Sequence, residues 1–150
     1  MKKSAGLLMY RRAGGVLQVL LAHPGGPFWR GKDHEAWTIP KGECEDDEPA
    51  LSAAQREFIE ETGFAVTPPF TPLGEVVQKS GKHITAWAFA GECDAAGLRC
   101  NSFELEWPPH SGRKQSYPEI DRAEWFDLAT ARRKINPAQR ALLDRLEQAA

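Results

Sequence analysis

Apolar residues arrive in short runs broken by glycine, proline and charge, with a strand-like rhythm near the start of the chain and a helical one at residues 49–62 and after residue 127. The runs 5–10 and 16–22 flank Arg11-Arg12-Ala13-Gly14-Gly15, which predicts two strands joined by a glycine turn. Residues 23–36 hold Pro24, Gly25, Gly26, Pro27 and Gly31 among charges and aromatics, a composition that predicts a surface loop of the kind that rims a site. Trp37-Thr-Ile-Pro40 reads as extended, because the residue before a proline avoids the α region. Pro49 suits a first helical turn, and Leu51, Ala54 and Phe58 recur at i, i+3 and i+7, so residues 49–62 predict an amphipathic helix with Gly63 as its C-cap. Further strands are predicted at 73–77 and 83–90 around Ser80-Gly81-Lys82, at 103–107, where Phe103, Leu105 and Trp107 alternate with Glu104 and Glu106, and at 120–126. Residues 108–115 read as loop, and residues 127–134 and 137–149 as helices.

Strands interleaved with helices predict an α/β class. The chain has 150 residues and no internal repeat, low-complexity tract or linker, so residues 1–150 read as a single domain burying roughly two thirds of its unfolded surface. The net charge of −2, from 19 Lys+Arg against 21 Asp+Glu, gives no field strong enough to gather a nucleic acid polymer or an anionic membrane. Phosphate binding must therefore be local, and the expected partner is a small molecule bound by a monomer or small homo-oligomer. No apolar run approaches the ~18–20 residues needed to span a bilayer, which predicts a cytoplasmic protein. Cys44, Cys93 and Cys100 are odd in number and lack zinc-site spacing, so they read as free thiols.

The richest chemistry lies between Gly42 and Phe64. The segment follows Gly-x5-Glu-x7-Arg-Glu-apolar-x-Glu-Glu-x-Gly-apolar, with Glu48, Arg56, Glu57, Glu60, Glu61 and Gly63 at the specified positions. Average residue usage gives such a match on the order of once in 10⁸ starting points. On a helix, Glu57, Glu60 and Glu61 fall within an arc of about 100°, and Glu57 and Glu61 are ~6 Å apart along the axis. The Leu51, Ala54 and Phe58 face lies about 90° round from that arc, so one helix can bury one side and present anions on the next. Carboxylates this close repel, and Arg56 offsets only part of the repulsion. As hard ligands they point to Mg²⁺, with Mn²⁺ as a substitute, and hence to a polyphosphate sharing the metal.

The same segment resembles the Nudix box at every specified position, and the chain is identified as a member of the Nudix hydrolase family. That resemblance implies an α/β/α sandwich with a mixed sheet between helices. It also implies that Glu57, Glu60 and Glu61 bind metal with the Gly42 carbonyl, that Glu48 supports them, that Glu57 can double as general base, and that Arg56 orients carboxylates, most simply Glu60 at i+4. Glu119 sits where the oxidised-nucleotide pyrophosphatases of the family carry a further ligand or base, and Glu104 and Glu106 are its rivals. Trp37-Thr-Ile-Pro40-Lys41-Gly42 looks like the entry to the box in Nudix enzymes that cleave diadenosine tetraphosphate, although the 23–36 loop is longer than in the best-known members. The resemblance therefore implies hydrolysis of a dinucleoside polyphosphate. The alternatives are a housecleaning pyrophosphatase for oxidised nucleoside triphosphates and, outside enzymes, a non-catalytic nucleotide-binding module. Candidates for substrate contact are Lys41 beside the metal loop, the cations Arg30 and Arg113, the aromatics Trp37 and Tyr117, and His83. Trp37 has a second reading as core packing, and His83 as a structural strand residue.

Overall fold

A computed structural model describes residues 3–149. In chain order the elements are strands β1 (Lys3–Ala13), β2 (Val16–Pro24) and β3 (Lys41–Glu43), helix α1 (Ala50–Thr62), strands β4 (Thr71–Val77), β5 (His83–Ala90), β6 (Ser102–Glu106), β7 (Lys114–Pro118) and β8 (Ile120–Asp127), and helices α2 (Leu128–Lys134) and α3 (Arg140–Ala149). The main sheet has the order β4-β5-β1-β2-β8, with β3 paired to β1 beside β2. Strand β1 turns into β2 at Gly14 and Gly15, both with positive φ, and lies parallel to β5 from Lys3↔His83 to Tyr10↔Ala90. This parallel pair in an otherwise antiparallel sheet makes it mixed.

Both faces of β1 are covered, which is why it reads as a nearly continuous apolar run. Ala5, Leu7 and Met9 share a core with Ala53, Ala54, Phe58 and Phe89 under α1. Leu8 joins Val19, Leu21, Trp37, Ile84, Leu128, Leu142 and Leu146 under α2 and α3. The result is the α/β/α sandwich implied by the resemblance. Fully burying a side chain such as Phe58 contributes about 2–3 kcal/mol, so each face is an independent anchor for its helix. Among the described residues no helix is long and apolar enough to cross a membrane, and Cys44, Cys93 and Cys100 are free thiols.

Three details depart from the pattern-based reading. Residues 114–118 are a strand, not the end of a loop, and pair with β6 in a separate two-stranded sheet from Ser102↔Pro118 to Glu106↔Lys114; this mostly exposed hairpin has too little apolar alternation in β7 to betray itself. The terminal helical stretch is divided, with a 3₁₀ turn at Pro137–Gln139 capped by the Asn136 side chain before α3 begins. Residues 37–40 make only the isolated bridges Ala22↔Thr38 and Trp37↔Ile135, and the true strand starts at Lys41.

Candidate active site

Helix α1 can present carboxylates because its adjacent side is committed to the core. Ala53, Ala54, Phe58 and Thr62 are buried, with the Phe58 ring edge-on to Phe89 at 5.3 Å. The helix starts where the Pro49 carbonyl accepts the Ala53 N–H at 3.0 Å and stops at Gly63, whose φ of 75° a side chain would strain.

Strand β3 brings Gly42 against Glu57. A Cβ built on Gly42 would lie 2.0 Å from Glu57 Cδ and Oε2, so the carboxyl fills the space that any other residue would claim. The Lys41 N–H donates to Glu61 Oε2 at 3.0 Å. Burial pushes the Glu61 carboxyl up to about 8, against the pull of that hydrogen bond. Glu57 is also raised by burial, with Arg56 opposing and the charges of Glu60 and Glu119 adding to the rise. Burial lowers the Lys41 ammonium, and nearby Lys82 acts in the same sense. Such carboxyls resist ionisation until a cation joins them.

Arg56 grips Glu48 with two parallel bonds, Nε to Oε2 and Nη2 to Oε1, both at 2.9 Å. Its Nη1 donates to Glu57 Oε1 at 2.8 Å and to Glu60 Oε2 at 3.3 Å, and Nη2 reaches the Glu43 carbonyl at 3.2 Å. Spacing gives Glu60 as a partner, which Nη1 meets; the planar fork matches Glu48 better, and it pulls that carboxyl down to about 2 together with the Glu45 N–H. The three carboxylates of the box share a helix face without meeting at one point. Among the described residues no three His, Cys, Asp or Glu side chains stand close enough to hold a cation as placed. Arg56 stands among Glu57, Glu60 and Glu61, and Glu61 is turned to the Lys41 N–H. The donors nonetheless suit a hard divalent cation: carboxylate oxygens gathered round a glycine that leaves room for them.

Glu119 is the single residue between β7 and β8, exposed and pinned by its backbone. Its N–H donates to the Asn101 carbonyl and its own carbonyl accepts the Gly25 N–H, both at 2.9 Å. Its charge bears on Glu57 and on Glu61. Of its rivals, Glu106 is engaged in the hairpin turn by the His110 N–H at 2.7 Å, and Glu104 lies exposed in the middle of β6.

Of the six substrate-contact candidates, Lys41 alone adjoins the carboxylates. Trp37 is fully buried; its indole N–H donates to Asp33 Oδ1 at 2.9 Å and its ring packs edge-on against Phe126 at 5.0 Å. It is therefore core, which removes it from the substrate surface. His83 spends Nδ1 on Glu75 Oε1 at 2.7 Å across the β4–β5 pair. Tyr117 and Arg113 belong to the β6–β7 hairpin, Tyr117 donating to Gln115 Oε1 at 2.9 Å, and Arg30 is exposed in the 25–36 loop. Lys82, one of several basic residues the sequence offers for the phosphate path, stands 3.8 Å from Glu43; strand register, not any local motif, brings it here. An open groove of about 480 Å³ lies beside the box loop, but Glu43, Glu45, Asp46, Asp47 and Glu48 line it, which disfavours an anion. A smaller pocket of about 140 Å³, bounded by Trp29, Thr38, Lys41, Gln78 and Asn136, adjoins the Lys41 side.

A family profile described as the NUDIX domain matches residues 1–146. The chain belongs to that family. An RNA pyrophosphohydrolase of Bartonella henselae is 30% identical over 149 aligned residues, spanning 82% of this chain and 79% of that one. A crystal structure of a C. elegans Ap4A hydrolase binary complex has a TM-score of 0.68 at 22% identity, covering 97% and 96% of the two chains. The NUDIX domain of Shewanella oneidensis NrtR, solved with ADP ribose, has a TM-score of 0.66 at 14% identity over 98% and 86%. The two structures share the Nudix fold with this chain. Family membership makes the protein a Nudix pyrophosphohydrolase, and the Gly42 to Gly63 segment its Nudix box.

Proposed function

We propose that the protein hydrolyses a phosphoanhydride bond of a nucleoside polyphosphate with the help of Mg²⁺, and that its substrate is a dinucleoside polyphosphate such as diadenosine tetraphosphate. The observation that carries the reading is the packing of the Glu57 carboxyl onto Gly42, beside Glu61 and within the influence of Glu119. Glu57, Glu60 and Glu61, with the Gly42 carbonyl and Glu119, would hold the cation. When bound, Mg²⁺ or Mn²⁺ neutralises phosphate charge and makes water a better nucleophile near neutral pH.

The protein's own groups do the rest. Arg56 fixes the direction of Glu57 and Glu48, the latter as support outside the metal shell. Glu57 or Glu119 accepts the proton of the attacking water on a carboxylate oxygen. The Lys41 ammonium, which feels the charges of Glu61, Glu43 and Glu57, would meet a phosphate oxygen. No covalent intermediate is needed.

The Trp37-Thr-Ile-Pro40-Lys41-Gly42 entry supports the dinucleoside reading. The Bartonella relative supports a second one: its name specifies RNA, and a chain of this net charge would engage such a polymer through its 5′-polyphosphate end, not along its length. Oxidised nucleoside triphosphates and binding without turnover are the remaining readings. One panel separates all four. Diadenosine tetraphosphate, the common and 8-oxo nucleoside triphosphates and a 5′-triphosphorylated RNA oligonucleotide are incubated with Mg²⁺, Mn²⁺ or chelator, and products are identified. The highest kcat/KM falls on diadenosine tetraphosphate. Saturable nucleotide binding without any metal-dependent product would overturn the hydrolase reading for this chain.

A further inference from the structure

We infer that His23 is a positioning residue for the reaction, acting through Asp121 to hold the turn that carries Glu119. The inference rests on the reading of Glu119 given above.

His23 ends the apolar run of β2 and is 2% exposed. Both ring nitrogens are used. Nδ1 meets Asp121 Oδ1 at 2.8 Å, and Nε2 meets the Lys32 carbonyl at 2.6 Å. A carbonyl only accepts, so Nε2 carries a proton and donates it; Nδ1 pairs with a carboxyl that lies two residues beyond Glu119. The ring itself is wedged edge-on against Trp37 at 5.1 Å. A buried imidazole with two directed partners costs desolvation that an aliphatic side chain would not. Its partners show what it secures, namely the 25–36 loop on one side and the entry to β8 on the other.

The register between β2 and β8 shifts between His23 and Pro24, which pair with Arg122 and Ile120, so that Asp121 falls at the irregularity. Other ties hold the chain there: the Gly25 N–H on the Glu119 carbonyl and the Glu119 N–H on the Asn101 carbonyl, the Ile120 N–H on Cys100 Sγ at 3.4 Å and Cys100 Sγ on the Ile120 carbonyl at 3.0 Å, and the His23–Asp121 pair. Of these, the His23–Asp121 pair alone is made by a buried side chain aimed at a side chain of the turn. On the reading of Glu119 as ligand or base its turn needs holding, because the Glu119 side chain is exposed and packing does not fix it. Displacements of about 1 Å at such a group cost about 100-fold in rate.

Two substitutions split the contacts of the ring. In His23→Asn the amide sits near the Nδ1 position and can meet Asp121 but not the Lys32 carbonyl; in His23→Gln it sits near Nε2 and can meet Lys32 but not Asp121. Steady-state kinetics with Mg²⁺ on the best substrate of the panel, at a temperature where each variant is folded by circular dichroism, are compared with Glu119→Gln and Asp121→Ala. The expected result is that Glu119→Gln and Asp121→Ala lower kcat, that His23→Asn stays within a few-fold of the parent protein, and that His23→Gln loses about 10- to 100-fold in kcat with KM little changed. Equal losses in the two His23 variants, or the larger loss in His23→Asn, overturn the inference by showing a packing or loop role. Should Glu119→Gln leave kcat unchanged while the parent protein is active, the reading of Glu119 fails instead; an inactive parent protein fails the hydrolase reading.

Discussion

The Glu57 carboxyl occupies the side-chain space of Gly42, so that a Cβ there would stand 2.0 Å from Glu57 Cδ. Strand and helix are thus fitted to one another at the point where chemistry is expected, and no side chain can be added at Gly42 without moving Glu57. In Gly42→Ala the flexible end of Glu57 must swing away while the backbone of β3 keeps its pairing with β1. We expect kcat to fall by about 100-fold, with far-UV circular dichroism unchanged. A Gly42→Ala protein with the parent kcat would show that the contact has no bearing on turnover.

Glu57→Gln removes a charge but keeps the shape. A drop of about 10³-fold or more in kcat is expected, since a ligand or base is lost from transition-state stabilisation. In chelator the variant should unfold at the parent temperature or higher, because burial already disfavours the charge at Glu57. Thermal unfolding with and without Mg²⁺ checks this, and an unfolded variant would mark Glu57 as structural.

Arg56 serves four acceptors at once, Glu48, Glu57, Glu60 and the Glu43 carbonyl. Lysine retains the charge but not the fork. Arg56→Lys should therefore lower kcat by about 10- to 100-fold and reduce Tm, while Lys→Arg exchanges at exposed sites do neither. A titration of Mg²⁺ against activity should show weaker apparent metal affinity in Arg56→Lys; an unaltered titration and kcat would refute the orienting role.

Acid should destabilise the protein through groups held below their ordinary values. The Arg56 fork takes Glu48 from 4.5 to about 2, and Lys134, with the Trp37 indole, lowers Asp33 from 3.8. A carboxyl whose folded value is depressed adds stability above its unfolded value and loses it as pH falls through the folded one. Tm should accordingly decline from roughly pH 5 towards pH 2. Asp33→Asn lacks one of these groups and should show a shallower decline when thermal unfolding is followed across that range; parallel curves would remove Asp33 from the account.

The acidic face, the helix under it and its glycine stop were legible because every part lies within one stretch of chain. A helical period fixes which side chains share a side, so Glu57, Glu60, Glu61 and the buried Phe58 could be assigned from spacing alone. The hairpins about Gly14-Gly15 and Ser80-Gly81-Lys82 were legible for the same reason, since a turn is a local event. Spacing found part of the Arg56 network: Glu60 at the helical interval is a partner, while the two-bond grip on Glu48 in the preceding loop depends on the geometry of the fork.

What the amino-acid order determined by itself is the Nudix box and the classes of element around it, because period, capping and turn chemistry act between neighbours along the chain. Only the tertiary structure decided that β1 runs parallel to β5, that Trp37 is core and that His23 joins Asp121 to the 25–36 loop. Those outcomes depend on strand register and on which apolar faces meet. Register is set by burial summed over whole strands, so no single residue announces where it will bring a distant partner.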